Sequence, residues 1–129
     1  NPHWTWAAAI VIFIAIAWLS TAPKPLDREG EAIASPAAQV FMAEPHFAEV
    51  SQTIMGRCSM CHAAEPVWMG IFEAPKDVRL DSPEAIANHA AQVAIQAGFS
   101  HAMPPGNVTE MTDEERALVV AWYRGATGG

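Results

Sequence analysis

The sequence predicts an all-α chain in which one transmembrane helix precedes a small helical domain. Three observations carry that reading. Residues 1–23 contain no Asp, Glu, Lys or Arg, so all 21 charged side chains of the 129-residue chain, 7 basic and 14 acidic, lie beyond them. Past that point apolar residues recur at helical spacing in three stretches, and no stretch alternates as a half-buried strand does. There are only two cysteines, Cys58 and Cys61, too few for a disulfide framework or a four-cysteine zinc site. The length admits one domain with an appendage. A net charge of −7 argues against nucleic-acid binding, which needs a basic face.

Nineteen uncharged residues run from Trp4 to Ala22, with Ile10, Val11, Ile12, Phe13 and Ile14 at their centre. At about 1.5 Å per residue they span roughly the ~30 Å of a bilayer core. Trp4, Trp6 and Trp18 near the ends suit the headgroup region. A cleaved signal peptide would carry a basic n-region, which is missing, and Pro23 follows Ala22 directly. Residues 4–22 therefore read as a retained anchor in lipid. Because the sequence opens on Asn1, it reads as a piece of a longer protein. Lys24 and Arg28 behind the anchor would by themselves place the soluble part in the cytoplasm; the cysteine motif argues for the opposite side.

Residues 23–36 mix proline, charge and small side chains and read as a tether. The expected division is thus 1–22 transmembrane helix, 23–36 linker and 37–129 soluble domain. In that domain Pro45 suits a first helical position, with Phe47, Val50 and Ile54 on one face up to Arg57. Ser82-Pro83 opens a second helix carrying Ile86, Ala90, Val93 and Ala94, with Gly98 as its stop. Thr112-Asp113-Glu114-Glu115 is a capping box, followed by Leu118, Val119, Trp122 and Tyr123 and ended by Gly125. Three short helices make a thin core, which a large apolar cofactor would complete.

Cys58-Ser59-Met60-Cys61-His62 supplies the means of holding one. CxxCH is the attachment sequence of c-type haem: two thiols on one turn add to the two vinyl groups of one porphyrin, and the next histidine ligates the iron. A redox dithiol would come with a βαβ pattern, and a zinc clip would need more soft ligands; neither is present. One covalent haem c is therefore expected, with His62 as proximal ligand. Its attachment occurs on the outer face of the bacterial inner membrane, so the domain is expected in the periplasm.

The distal ligand is sought among Met42, Met55, Met60, Met69, Met103 and Met111. Met55 and Met60 adjoin the attachment site, and Met42 precedes it. Met103 lies between two helices with Pro104 and Pro105 behind it, which restrain the loop around a weak thioether donor. Met103 is the expected ligand, with His101 and His89 as rivals and core filling as the plainer role. Lys76 and Arg79 could neutralise the propionates or stay as surface charges, and Trp68 could pack on the porphyrin edge or in the core.

The soluble part resembles a monohaem class I cytochrome c. More narrowly it is similar to the C-terminal region of the bacterial membrane-bound urate oxidases (urate hydroxylases). The residues that carry this are Arg57 to Pro66, Ala74-Pro75-Lys76, Ser100-His101-Ala102-Met103-Pro104-Pro105, and Glu114 to Leu118 running into Ala121-Trp122-Tyr123-Arg124-Gly125. The resemblance covers roughly residues 45–125. It implies a class I cytochrome c fold, and a backbone oxygen at Pro75 that accepts from the His62 imidazole. It also implies a multi-helix membrane domain upstream, where urate would be oxidised; the chain itself would be an electron carrier. That domain would be the donor, and a basic soluble cytochrome or a terminal oxidase the acceptor. An anchored subunit of a respiratory or photosynthetic complex is the alternative. A catalytic haem domain is a further one, and it would need an open distal position.

Overall fold

The computed structural model describes residues 3–21 and 32–129, and among these the regular structure is helical with no strand. Helix α1 (His3–Thr21) is uncharged and apolar all round, with Trp4, Phe13 and Trp18 exposed. It is long and apolar enough to cross a membrane.

Residues 32–129 contain α2 (Pro36–Met42), α3 (Phe47–Cys58), α4 (Pro83–Asn88), α5 (Ala90–Val93) with a π-helical continuation at Ala94–Phe99, and α6 (Asp113–Thr127). Helix α2 falls partly in the stretch expected to be tether. Ser35 caps it by accepting from the Ala38 N–H at 3.2 Å, and Pro36 takes the first helical position. Asn88 fastens the segment from both sides: its Oδ1 accepts from the Ser35 N–H at 2.9 Å, and its Nδ2 donates to the Ile33 carbonyl at 2.7 Å. The domain thus starts several residues before 37. Residues 23–31 of the expected linker lie outside the described residues.

Helix α3 begins at Phe47, two residues after the proline expected to open it. The Glu44 carboxylate accepts from the His46 backbone N–H at 2.7 Å and lies 2.9 Å from its ring Nδ1, so residues 44–46 form a turn outside the helix. The single helix expected from Ser82 to Gly98 is interrupted at His89 (φ −106°, ψ 19°), whose Nδ1 lies 2.9 Å from the Ala85 carbonyl. Gly98 is not a stop but a buried residue of the π-helical segment. A Cβ there would stand 2.9 Å from Val120 Cγ2 and 3.3 Å from Val119 Cγ1, so glycine is what lets this segment lie close against α6.

The capping box of α6 forms as its residues predict. Thr112 Oγ1 accepts from the Glu115 N–H at 3.2 Å, and Glu115 Oε2 accepts from the Thr112 N–H at 2.8 Å. The helix passes through Gly125 and ends at Gly128 in the left-handed conformation (φ 73°). Val50, Ile54, Ile86, Val119 and Trp122 are fully buried where α3, α4 and α6 meet. Each such side chain contributes about 1.5–3 kcal/mol by leaving water. The Trp122 indole N–H donates to the Phe41 carbonyl at 2.9 Å, and its ring packs 5.6 Å from Phe41 and 6.0 Å from Phe47. Helices α2, α3 and α6 are locked together there. The irregular segments 59–81 and 100–111 are left to wall a cleft.

Candidate functional site

Cys58 is the last residue of α3, and the chain then turns tightly. The N–H groups of Cys61 and His62 both donate to the Cys58 carbonyl, at 3.2 and 2.9 Å. Two contacts fix His62: its carbonyl accepts from the Leu80 N–H at 2.6 Å, and its ring Nδ1 lies 2.8 Å from the Val78 carbonyl. The carbonyl that engages the imidazole is therefore Val78's and not Pro75's, because the 3₁₀ turn Pro75–Asp77 carries the chain on and brings Val78 to the ring. With Nδ1 so held, Nε2 is the nitrogen available to a ligand.

Cys58, Cys61 and His62 line a cleft of about 410 Å³ together with Met103, Pro104 and Pro105. Ile71, Val78, Leu80, Val93, Ala97 and Val108 give it an apolar wall, and Arg57, Lys76, Gln92, Gln96 and Thr109 add polar groups. The volume is within the ~300–1,000 Å³ common for small-molecule sites. Met103 is the one methionine in the lining among the described residues. Its N–H donates to the Gln96 carbonyl at 2.9 Å, which ties the loop to the π-helical segment.

Several expected site residues lie elsewhere. His101, exposed and at φ 55°, borders a separate shallow groove with Gly98, Arg116 and Arg124. His89 is engaged with Ala85. Trp68 is 39% exposed and lies outside the cleft lining, as does Arg79, which pairs with Asp81 at 3.1 Å. Asp81 also accepts from the Ala64 N–H at 2.7 Å, so Arg79 and Asp81 brace the segment behind the motif. Lys76 and Pro75 do line the cleft.

Burial, reinforced by Cys61, pushes the Cys58 thiol up to about 11, with Arg116 only partly offsetting it. Burial also raises Cys61. Both are therefore neutral thiols near pH 7, whereas a reactive dithiol is tuned in the opposite direction.

Arg57, one residue before the motif, reads from the sequence only as a helix end and as the start of the resembling stretch, with no role at the site. Its Nε lies 3.0 and 3.1 Å from the two Glu115 carboxylate oxygens, Nη2 donates to Oε1 at 2.9 Å, and Nη1 donates to the Thr109 carbonyl at 2.6 Å. It links α3, α6 and the loop beyond Met103. Thr109 was missed as well, and its Oγ1 is buried with no hydrogen-bond partner among the described residues. An orphaned hydroxyl on a residue of the cleft wall suits a ligand with a polar edge. The donor set therefore fits haem c: two adjacent thiols, an oriented imidazole, a thioether, an apolar wall, and Lys76 and Thr109 for acidic groups.

Compared with protein-family models, curated proteins and solved structures, the chain shows no match.

Proposed function

We propose that this chain is a membrane-anchored c-type cytochrome of the class I kind that carries single electrons. The observation that supports it most is that the two cysteines and the histidine of CxxCH share one apolar cleft with Met103. Cys58 and Cys61 would hold haem c covalently and His62 and Met103 would ligate its iron; when bound, it would supply an iron that alternates between Fe(III) and Fe(II). Val78 keeps the imidazole in the tautomer that leaves Nε2 free to ligate, and the Met103 loop is held by Gln96. Ligation by the Met103 thioether would favour Fe(II) and would disfavour a catalytic haem that binds small molecules. The urate oxidase resemblance supports reading the chain as the electron-accepting C-terminal part of such an enzyme. The donor is then a membrane domain upstream, and the acceptor a basic soluble cytochrome or a terminal oxidase. Helix α1 anchors the domain on the periplasmic side of the inner membrane.

The test is production of the full chain in a host that matures c-type cytochromes. Haem should stay attached under denaturing conditions, and Cys58→Ser with Cys61→Ser should release it. Met103→Ala should abolish the weak red-end absorption of a ferric iron–methionine bond, while His101→Ala keeps it. Recovery without covalent haem would overturn the proposal, and the opposite behaviour of the last two variants would overturn the ligand assignment.

A further inference from the structure

Arg116 is 5% exposed, a charged residue buried in the core. It occupies the core face of α6 together with Val119 and Trp122, both fully buried. Nη1 donates to the Ala97 carbonyl at 2.6 Å and to the Met103 carbonyl at 2.8 Å, and Nη2 donates to Asn107 Oδ1 at 3.0 Å. All three acceptors are neutral. A buried charge bonded only to neutral groups is costly for stability, and an apolar residue at this position would suit the core better. What the guanidinium does is join the end of the π-helical segment, the backbone of Met103 and the turn four residues beyond it. Asn107 carries the tie onward: its Oδ1 accepts from the Met111 N–H at 3.0 Å, and its Nδ2 donates to the Met111 carbonyl at 3.1 Å.

We propose that Arg116 is the positioning residue for Met103, holding the loop so that the thioether stays in the cleft shared with His62, while its buried positive charge favours the reduced state of a metal centre bound there. The inference rests on the proposed ligation by Met103. A thioether is a weak donor, so ligation depends on how seldom the loop opens. Hydrogen bonds from a charged group are the strong class, and three of them on one loop and its support suppress opening. The charge acts separately. A cation held away from water opposes gain of a further positive charge nearby, and so raises a reduction potential.

The test uses the haem-loaded full chain, with imidazole as the probe that displaces methionine from ferric iron. Arg116→Met, which removes donors and charge at similar length, should tighten apparent imidazole binding by at least about tenfold and lower the reduction potential. Arg116→Lys, which keeps the charge but loses the fork, should tighten imidazole binding with a smaller fall in potential. Val119→Ala, a cavity on the same helix face, should lower stability and leave imidazole affinity unchanged. Wild-type affinity and potential in Arg116→Met would overturn the proposal. So would an equal gain in imidazole affinity in Val119→Ala, since the effect would then be general loosening. If Arg116→Met does not fold, Arg116→Lys decides, with unchanged imidazole affinity overturning the proposal. Failure of the underlying reading is distinguishable, because wild type itself would then lack the methionine absorption.

Discussion

Replacing Glu115 by alanine should cost the helical domain about 1.5–3 kcal/mol. Two contributions make up that figure. The carboxylate receives Arg57 through three contacts of 2.9–3.1 Å, in a pair whose side chains are 31% and 24% exposed. Fully exposed pairs are worth about 0.2–1 kcal/mol and bonds to buried charges about 1.5–3 kcal/mol, so this half-sheltered fork is set at about 1–2. Loss of the return bond to the Thr112 N–H, at 2.8 Å, removes half of the capping box and adds about 0.5–1 kcal/mol. For a domain of about 100 residues the sum lowers Tm by roughly 6–24 °C. Thermal unfolding of the full chain in detergent, followed by circular dichroism, measures it, with Glu73→Ala as an exposed control. Acid should shrink the difference. Burial works to raise the Glu115 carboxyl, but its bonds from Arg57 and the Thr112 N–H outweigh it and hold the group below its ordinary value. The stabilisation is therefore complete above the ordinary glutamate range near pH 4.3 and is lost as pH falls through the lower, folded-state value. A loss no larger than that of Glu73→Ala, or a difference that grows on acidification, would refute this account of the fork.

Two further outcomes are expected. Gly98→Val should destabilise the domain by about 1–3 kcal/mol in the same melt, because even its Cβ would meet Val120 Cγ2 at 2.9 Å; unchanged stability would mean that α6 yields readily at that contact. On the proposed electron-carrier reading, transfer to a soluble basic cytochrome should slow steeply between low and physiological salt, since a net charge of −7 would steer encounter and the screening length falls from ~30 Å at 0.01 M to ~8 Å at 0.15 M. Stopped-flow rates across a salt series measure this, and a flat profile would leave the acidic surface without a docking role.

What could be read along the chain was whatever depends on neighbours in sequence. The nineteen uncharged residues, the helical periods, the Ser82-Pro83 and Thr112–Glu115 caps and the CxxCH spacing are local, because the groups that interact are within one or two turns of each other. Helix α2 was equally local, yet Ser35-Pro36 passed for the end of a tether, because Asn88, 53 residues further on, is what folds it in. The same limit governs the site. No spacing indicates that Val78 and not Pro75 reaches the His62 ring, that His101 turns to another groove, or that Gly98 serves packing and not termination. Arg116 did leave a trace, a charge in register with Val119 and Trp122 on the stripe of α6. Its meaning depended on Met103 and Asn107 arriving from a loop, and on packing that excludes water, which turns a surface cation into a buried clamp. Tertiary packing decided these matters because it joins groups distant in sequence and removes the solvent that would otherwise have satisfied them.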